Sequence, residues 1–167
     1  NIIKYCNRPF KDEIIMNERL IFNWNRTIPE DGIVFHLGDI AFQSPKNVLG
    51  DLLNRLNGEI HLITGNHEKD ALKYKERFKT ISDVLEINVK DSEITYKEQH
   101  IIMCHYPMTV WNASHKGSFQ LFGHVHTSRY NTGKDVPRLK MLFPTQYYVG
   151  VDNNNFTSES FAQVKMI

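Results

Sequence analysis

Apolar positions recur along the first half of the chain with helical spacing and along the second half in short β-rich runs. Between residues 9 and 28, Ile14, Ile21, Trp24 and Ile28 recur at steps of seven, three and four. That spacing predicts one apolar helix stripe, with Pro9 where the helix can begin. Residues 45–57 predict a second amphipathic helix: Ser44 suits the N-cap, Pro45 the first position, and Gly58 the stop. Its apolar face is Val48, Leu49, Leu52, Leu53 and Leu56. Residues 33–37, entered through Asp31-Gly32, and residues 60–64 are short apolar runs that predict buried strands. The charged stretch 69–78 predicts a surface helix.

Beyond residue 84 the runs 84–89, 94–97, 101–104, 119–122, 147–151 and 160–166 read as strands, separated by turn signals such as Asp91-Ser92 and Asn131-Thr132-Gly133. Alternating helix and strand units followed by a series of strands predict an α/β domain of two packed sheets with helices outside. No internal repeat or low-complexity tract divides the chain, and residues 152–155 form a polar loop.

Composition narrows the function classes. Hydrophobic residues make up 41% and charged residues 23%, ordinary for a globular protein, and no apolar run approaches the about 18 residues of a membrane span. Twenty basic against nineteen acidic residues leave a net charge of +1, so no global field favours a long nucleic acid. Cys6 and Cys104 have no metal-type spacing, which predicts a reducing compartment, the cytoplasm.

The candidate chemistry lies in strings that end apolar strands: Gly38-Asp39, Gly65-Asn66-His67-Glu68, Cys104-His105-Tyr106-Pro107 and Gly123-His124-Val125-His126. Imidazoles, a carboxylate and an amide oxygen without thiolate suit Mn, Fe, Ni or Zn. Glycines beside them allow sharp turns and close approach. On an ideal strand His124 and His126 face the same side and reach one site or two neighbouring metals. His36, His61, His100 and His115 stand outside these strings and read as ordinary surface or core residues.

This series of strings resembles the motifs of the calcineurin-like metallophosphoesterases. Cys104-His105-Tyr106-Pro107-Met108 with Trp111, and Gly150-Val151-Asp152, are similar to the small single-domain bacterial and phage members. The resemblance implies a four-layer αββα sandwich of two mixed β-sheets flanked by helices, with the metal site at strand ends. It implies two divalent ions, manganese first, with Asp39 bridging them, Asn66, His105 and His124 completing one site, and His126 serving the other. Such ions polarise a phosphate ester and activate water for in-line attack on phosphorus.

His67, beside Asn66, is the expected proton donor to the leaving alkoxide, with Glu68 a candidate to orient it. Tyr106, Trp111 and Asn112 are candidate contacts for a small phosphate-ester substrate, or else simply pack their loop. The family's first motif, Asp-x-His, does not occur near Asn1. Residues 1–167 are therefore expected to be a single metallophosphoesterase domain lacking the first strand and that motif, through truncation or divergence. A binding module with an altered metal site and a nuclease stand as the alternative functions.

Overall fold

A computed structural model of the chain describes residues 2–42, 48–90, 97–126 and 140–166. Helix α1 (Ile2–Tyr5) is a single turn, and α2 spans Glu13–Thr27. The latter starts at Asp12 rather than near Pro9, because the Asp12 carboxylate caps the Ile15 N–H at 2.9 Å. Its buried residues are Met16, Ile21 and Asn23, whereas Ile14, expected on the apolar stripe, is 76% exposed.

Strand β1 (Ile33–His36), helix α3 (Val48–Asn54), strand β2 (Glu59–Ile63), a 3-10 segment (Ala71–Arg77) and strand β3 (Phe78–Ser82) follow. The expected cap of α3 at Ser44 and Pro45 lies outside the described residues. On its apolar face Leu49 and Leu53 are buried, but Val48 is exposed. The stretch predicted as a charged helix is 3-10, broken at Tyr74 with φ −118° and ψ 45°. Its last predicted residue, Phe78, opens β3, which the density of lysines around it conceals.

Strands β1, β2 and β3 form a sheet that is parallel throughout, in that order. The expectation that both sheets are mixed is thus corrected for this one, and the reason is connectivity. β2 and β3 are each reached by a crossover that brings the chain back to the end of the sheet where the previous strand began, and crossovers make parallel neighbours. The second sheet, β4 (Val84–Val89), β5 (Gln99–Cys104), β6 (Phe119–Phe122) and β7 (Gln146–Tyr148), is mixed: β4 runs antiparallel to β5 and the others are parallel. The strand expected at 94–97 falls largely outside the described residues.

The last run, 160–166, is not a strand but helix α4 (Phe161–Met166). A reciprocal cap decides this. Gln163 Oε1 accepts the Ser160 N–H at 2.7 Å, and Ser160 Oγ accepts the Gln163 N–H at 3.3 Å, closing a capping box.

Alternation along β2 shows how the layers are held. Ile60 and Leu62 pack with Leu49, Leu53, Ala71 and Phe78 beneath the helices, with Trp24 of α2 beside them. Ile63 points the other way and joins Leu37, Ile101, Met103, Phe119 and Val164 between the two sheets. The result is an α/β sandwich of two sheets flanked by helices. On the far face of the second sheet, buried Gln120 and Gln146 bind the backbone of the loop after β5 instead: Gln146 Nε2 donates to the Met108 carbonyl at 2.7 Å and to Gln120 Oε1 at 2.8 Å. No helix among the described residues is long and apolar enough to cross a membrane.

Leu62 is fully buried, so Leu62→Ala should cost about 2–5 kcal/mol. Ile14→Ser, on a residue the sequence pattern places in the same core, should stay within about 0.5 kcal/mol of the parent. Urea denaturation of both variants tests the assignment of faces.

Candidate metal centre

The strands β1, β2, β5 and β6 deliver their C-terminal loops to one edge of the sandwich. After β1 the chain passes through Gly38, at φ +86°, and Asp39, at φ +56°. A Cβ on Gly38 would lie 2.6 Å from the Gly65 nitrogen and from His105 Nδ1, so only glycine lets the three loops meet.

A buried carboxylate holds the first two loops together. Glu68 is 3% exposed. Its Oε2 accepts the N–H groups of Asp39 at 2.8 Å and Gly65 at 2.6 Å, and its Oε1 accepts that of Ile40 at 3.0 Å. The candidate role of orienting His67 is therefore corrected: both oxygens of Glu68 are occupied by backbone. The His67 N–H donates to Asp39 Oδ1 at 2.8 Å, and its exposed ring meets Phe42 edge-on at 4.5 Å.

His105, 1% exposed at the end of β5, bridges the sheets by donating Nδ1–H to the Leu37 carbonyl at 2.6 Å. A carbonyl only accepts, so the proton sits on Nδ1. Nε2 then faces two further oxygens, Asn66 Oδ1 at 3.2 Å and Asp39 Oδ2 at 3.3 Å. A bare nitrogen turned toward two acceptors is repulsive unless a cation or proton lies among them. The ligand atoms of Asp39, His105 and His124 all lie within 4.8 Å of one another, and the donor set of two imidazoles, a carboxylate and an amide oxygen fits a borderline divalent ion.

The charges agree. Burial works against an ionised Asp39, yet His105 and the His67 N–H hold its carboxyl below the ordinary value. Burial likewise works against a charged His105, but Asp39 and the Leu37 carbonyl hold the ring above its ordinary value.

His124 and His126 follow β6 rather than continuing it, with His124 at φ +64°, and fall in separate clusters, the first with Asp39 and His105 and the second with Cys6 and Asp152. His124 packs against the rings of His105 at 5.1 Å and Tyr106 at 4.8 Å. Val125 is buried between them, and His126 Nδ1 lies 3.1 Å from Asp152 Oδ2.

His126, Cys6 and Asp152 form a second cluster. Burial, and then Asp152, push the Cys6 thiol up to about 12, and Arg8 engages both oxygens of Asp152, at 2.7 and 3.0 Å. Burial opposes ionisation of Asp152 too, but His126 and Arg8 hold its carboxyl below the ordinary value.

Of the expected substrate contacts, Tyr106 lies at the centre, 44% exposed over His105 and His124. Trp111 does not: it is buried, donating Nε1–H to the Ser118 carbonyl at 3.2 Å. Asn112 donates to Glu86 on β4 at 2.9 Å, because the loop folds back on its own sheet. His61 and His100 pair on strand surfaces with Thr80 and Asn88. Glu68 as a loop clamp, Phe42 at the site mouth and the Arg8–Asp152 pair were not foreseen. For Asp152 the sequence signal existed, as Gly150-Val151-Asp152, but its partner Arg8 lies 144 residues away.

No protein-family model matches the chain. Over 76 residues it is 47% identical to an uncharacterized protein of Methanocaldococcus jannaschii, a match that covers 45% of this chain and 43% of that protein. The matched part thus spans less than half the length of this curated relative. The chain also resembles, over its whole length, the crystal structure of a protein of unknown function from Aquifex aeolicus, with a TM-score of 0.69, 22% identity and 92% of that chain covered. This likeness shows the fold.

Two outcomes follow from the geometry. Glu68→Gln presents an amide group to N–H donors and should cost about 1–3 kcal/mol in urea denaturation, while weakening any Mn binding through the loosened loops. Because the His105 pKa is raised above 6.5, a proton competes for Nε2 below that raised value. Any affinity for Mn, measured by titration calorimetry, should therefore fall as pH drops through it. The Asp39–His105 attraction has the opposite limits in the metal-free chain. It fades as His105 deprotonates at higher pH, and as Asp39 protonates below 3.8.

Proposed function

We propose that this chain is a metal-dependent phosphoesterase built on Asp39, Asn66, His105 and His124. It hydrolyses phosphodiester or phosphomonoester bonds of small, nucleotide-like substrates, with manganese the first candidate metal and iron, nickel or zinc the others. The observation that carries this reading is the convergence of His105 Nε2, its Nδ1 fixed by the Leu37 carbonyl, on the oxygens of Asn66 and Asp39 with His124 alongside. The resemblance of the motif series to the calcineurin-like metallophosphoesterases supports it independently.

A divalent cation held there supplies positive charge that polarises a phosphate ester and lowers the pKa of water. The chain's own residues do the rest. Asp39 accepts the His67 N–H and so anchors the loop on which His67 stands, exposed at the mouth. From that position the imidazole hands a proton to the departing alkoxide oxygen. Tyr106 and Phe42, 44% and 57% exposed, offer apolar faces to the ester's organic group. The two cysteines are buried free thiols, which supports a cytoplasmic setting.

The engagement of His126 with Asp152 favours a second reading, a binding module of this fold with one metal position altered. A nuclease would use the same chemistry, but the net charge of +1 offers little counterion release on a long polyanion.

Metal analysis of the purified chain, with Mn-stimulated hydrolysis of bis-p-nitrophenyl phosphate, tests the proposal. Bound metal and turnover should both be lost in Asp39→Asn. His67→Asn should keep its metal and lose about 10²–10⁴-fold in rate on a poor leaving group. A chain that neither binds metal nor turns over is the binding module.

A further inference from the structure

We infer that a groove beside helix α2 is a binding site for a phosphate-bearing small molecule, with Arg19 and Arg26 as its anion contacts. The groove lies where α2 and the segment before it meet residues 155–157. It has a volume of about 450 Å³, and none of Asp39, Asn66, His105 and His124 is on its wall. That volume is in the range of small-molecule sites.

Charge points to an anion. Arg19 and Arg26 stand seven positions apart on α2 with Asn23 between them, and no acidic residue lines the groove. Of the described arginines, Arg8 and Arg55 are held by carboxylates and Arg77 by backbone carbonyls. Arg19 and Arg26 have no such oxygen partner among the described residues. Their guanidinium carbons lie over the exposed Phe22 ring instead, 5.9 and 5.7 Å from its centre. That contact is weak in water and leaves the planar fork available to phosphate oxygens.

The wall is held in shape. Asn155 and Phe156 take φ +50° and +59°, an uncommon conformation for a bulky residue. Buried Asn23 fixes them by donating from Nδ2 to both carbonyls, at 3.4 and 2.8 Å. The Phe156 ring meets Phe10 at 4.8 Å and so holds half-buried Phe10 as an apolar surface for the ligand's organic group. Thr157, on the same wall, has a hydroxyl buried without a hydrogen-bond partner, a donor that a ligand oxygen would satisfy. Strained backbone, an unpaired hydroxyl and two arginines without anions occur together here, as they do where a ligand completes the structure.

Binding at this groove needs no metal, so the test is run in chelator on the full chain. Titration calorimetry should show binding of adenosine monophosphate that weakens as salt rises. Arg19→Ala and Arg26→Ala, on exposed side chains, should each lower the affinity about tenfold. In ¹H–¹⁵N spectra the Asn23 side-chain amide and the backbone amides of residues 155–157 should shift during the titration. Equal affinity for inorganic phosphate assigns the groove to free phosphate, and tighter binding of the nucleotide assigns it to a phosphate monoester. No binding of either probe at millimolar concentration overturns the inference, as does binding that survives the loss of both arginines in a folded variant.

Discussion

Everything at the sheet edge depends on one buried carboxylate. Glu68 takes three backbone N–H groups, two from the loop after β1 and one from the loop after β2. Those donors replace the water that a carboxylate at 3% exposure has lost. Each donor would itself be costly to bury unpaired, so loops and carboxylate stabilise one another. With these loops fixed, Gly38 can lie against Gly65 and His105, and the Leu37 carbonyl can accept from His105 across the gap between sheets. The candidate metal centre is thus a consequence of loop closure.

The backbone records where that closure is demanding. Left-handed conformations at Gly38, Asp39 and His124 all fall within the candidate site. Asp39 and His124 are both residue types that tolerate this region better than most. Further left-handed residues, Asn7, Asn155 and Phe156, flank the contact between Arg8 and Asp152. Of the left-handed non-glycine residues among those described, all but Ala113 lie at these two places, where distant segments are pulled together around polar groups.

Much of the fold was legible. The parallel strands β1 and β2 followed from their apolar runs, and β4, β5 and β6 from short β-rich ones. Local chemistry overrode pattern elsewhere: Ser160 and Gln163 cap a helix where β-rich composition suggested a strand, and Tyr74 interrupts a stretch whose charges suggested an α-helix. Ile14 has the right spacing for a core stripe, but α2 begins late and turns its first residue pairs to solvent. In the candidate site, Asp39, Asn66, His105 and His124 could be picked out because each follows an apolar strand beside a glycine or within a short polar string.

The sequence by itself determined which residues end the strands and hence which polar groups reach the sheet edge, because alternation and turn chemistry are local. Only the tertiary structure decided what those groups do with one another. It set His124 beside Asp39 and His105, and His126 beside Cys6 and Asp152. It buried Trp111 and turned Glu68 from a partner of His67 into the clamp of two loops. It also set Asp152 between Arg8 and His126, a contact spanning 144 residues on one side and 26 on the other. Hydrogen bonds of that range depend on how sheets and loops pack, and no spacing along the chain encodes them.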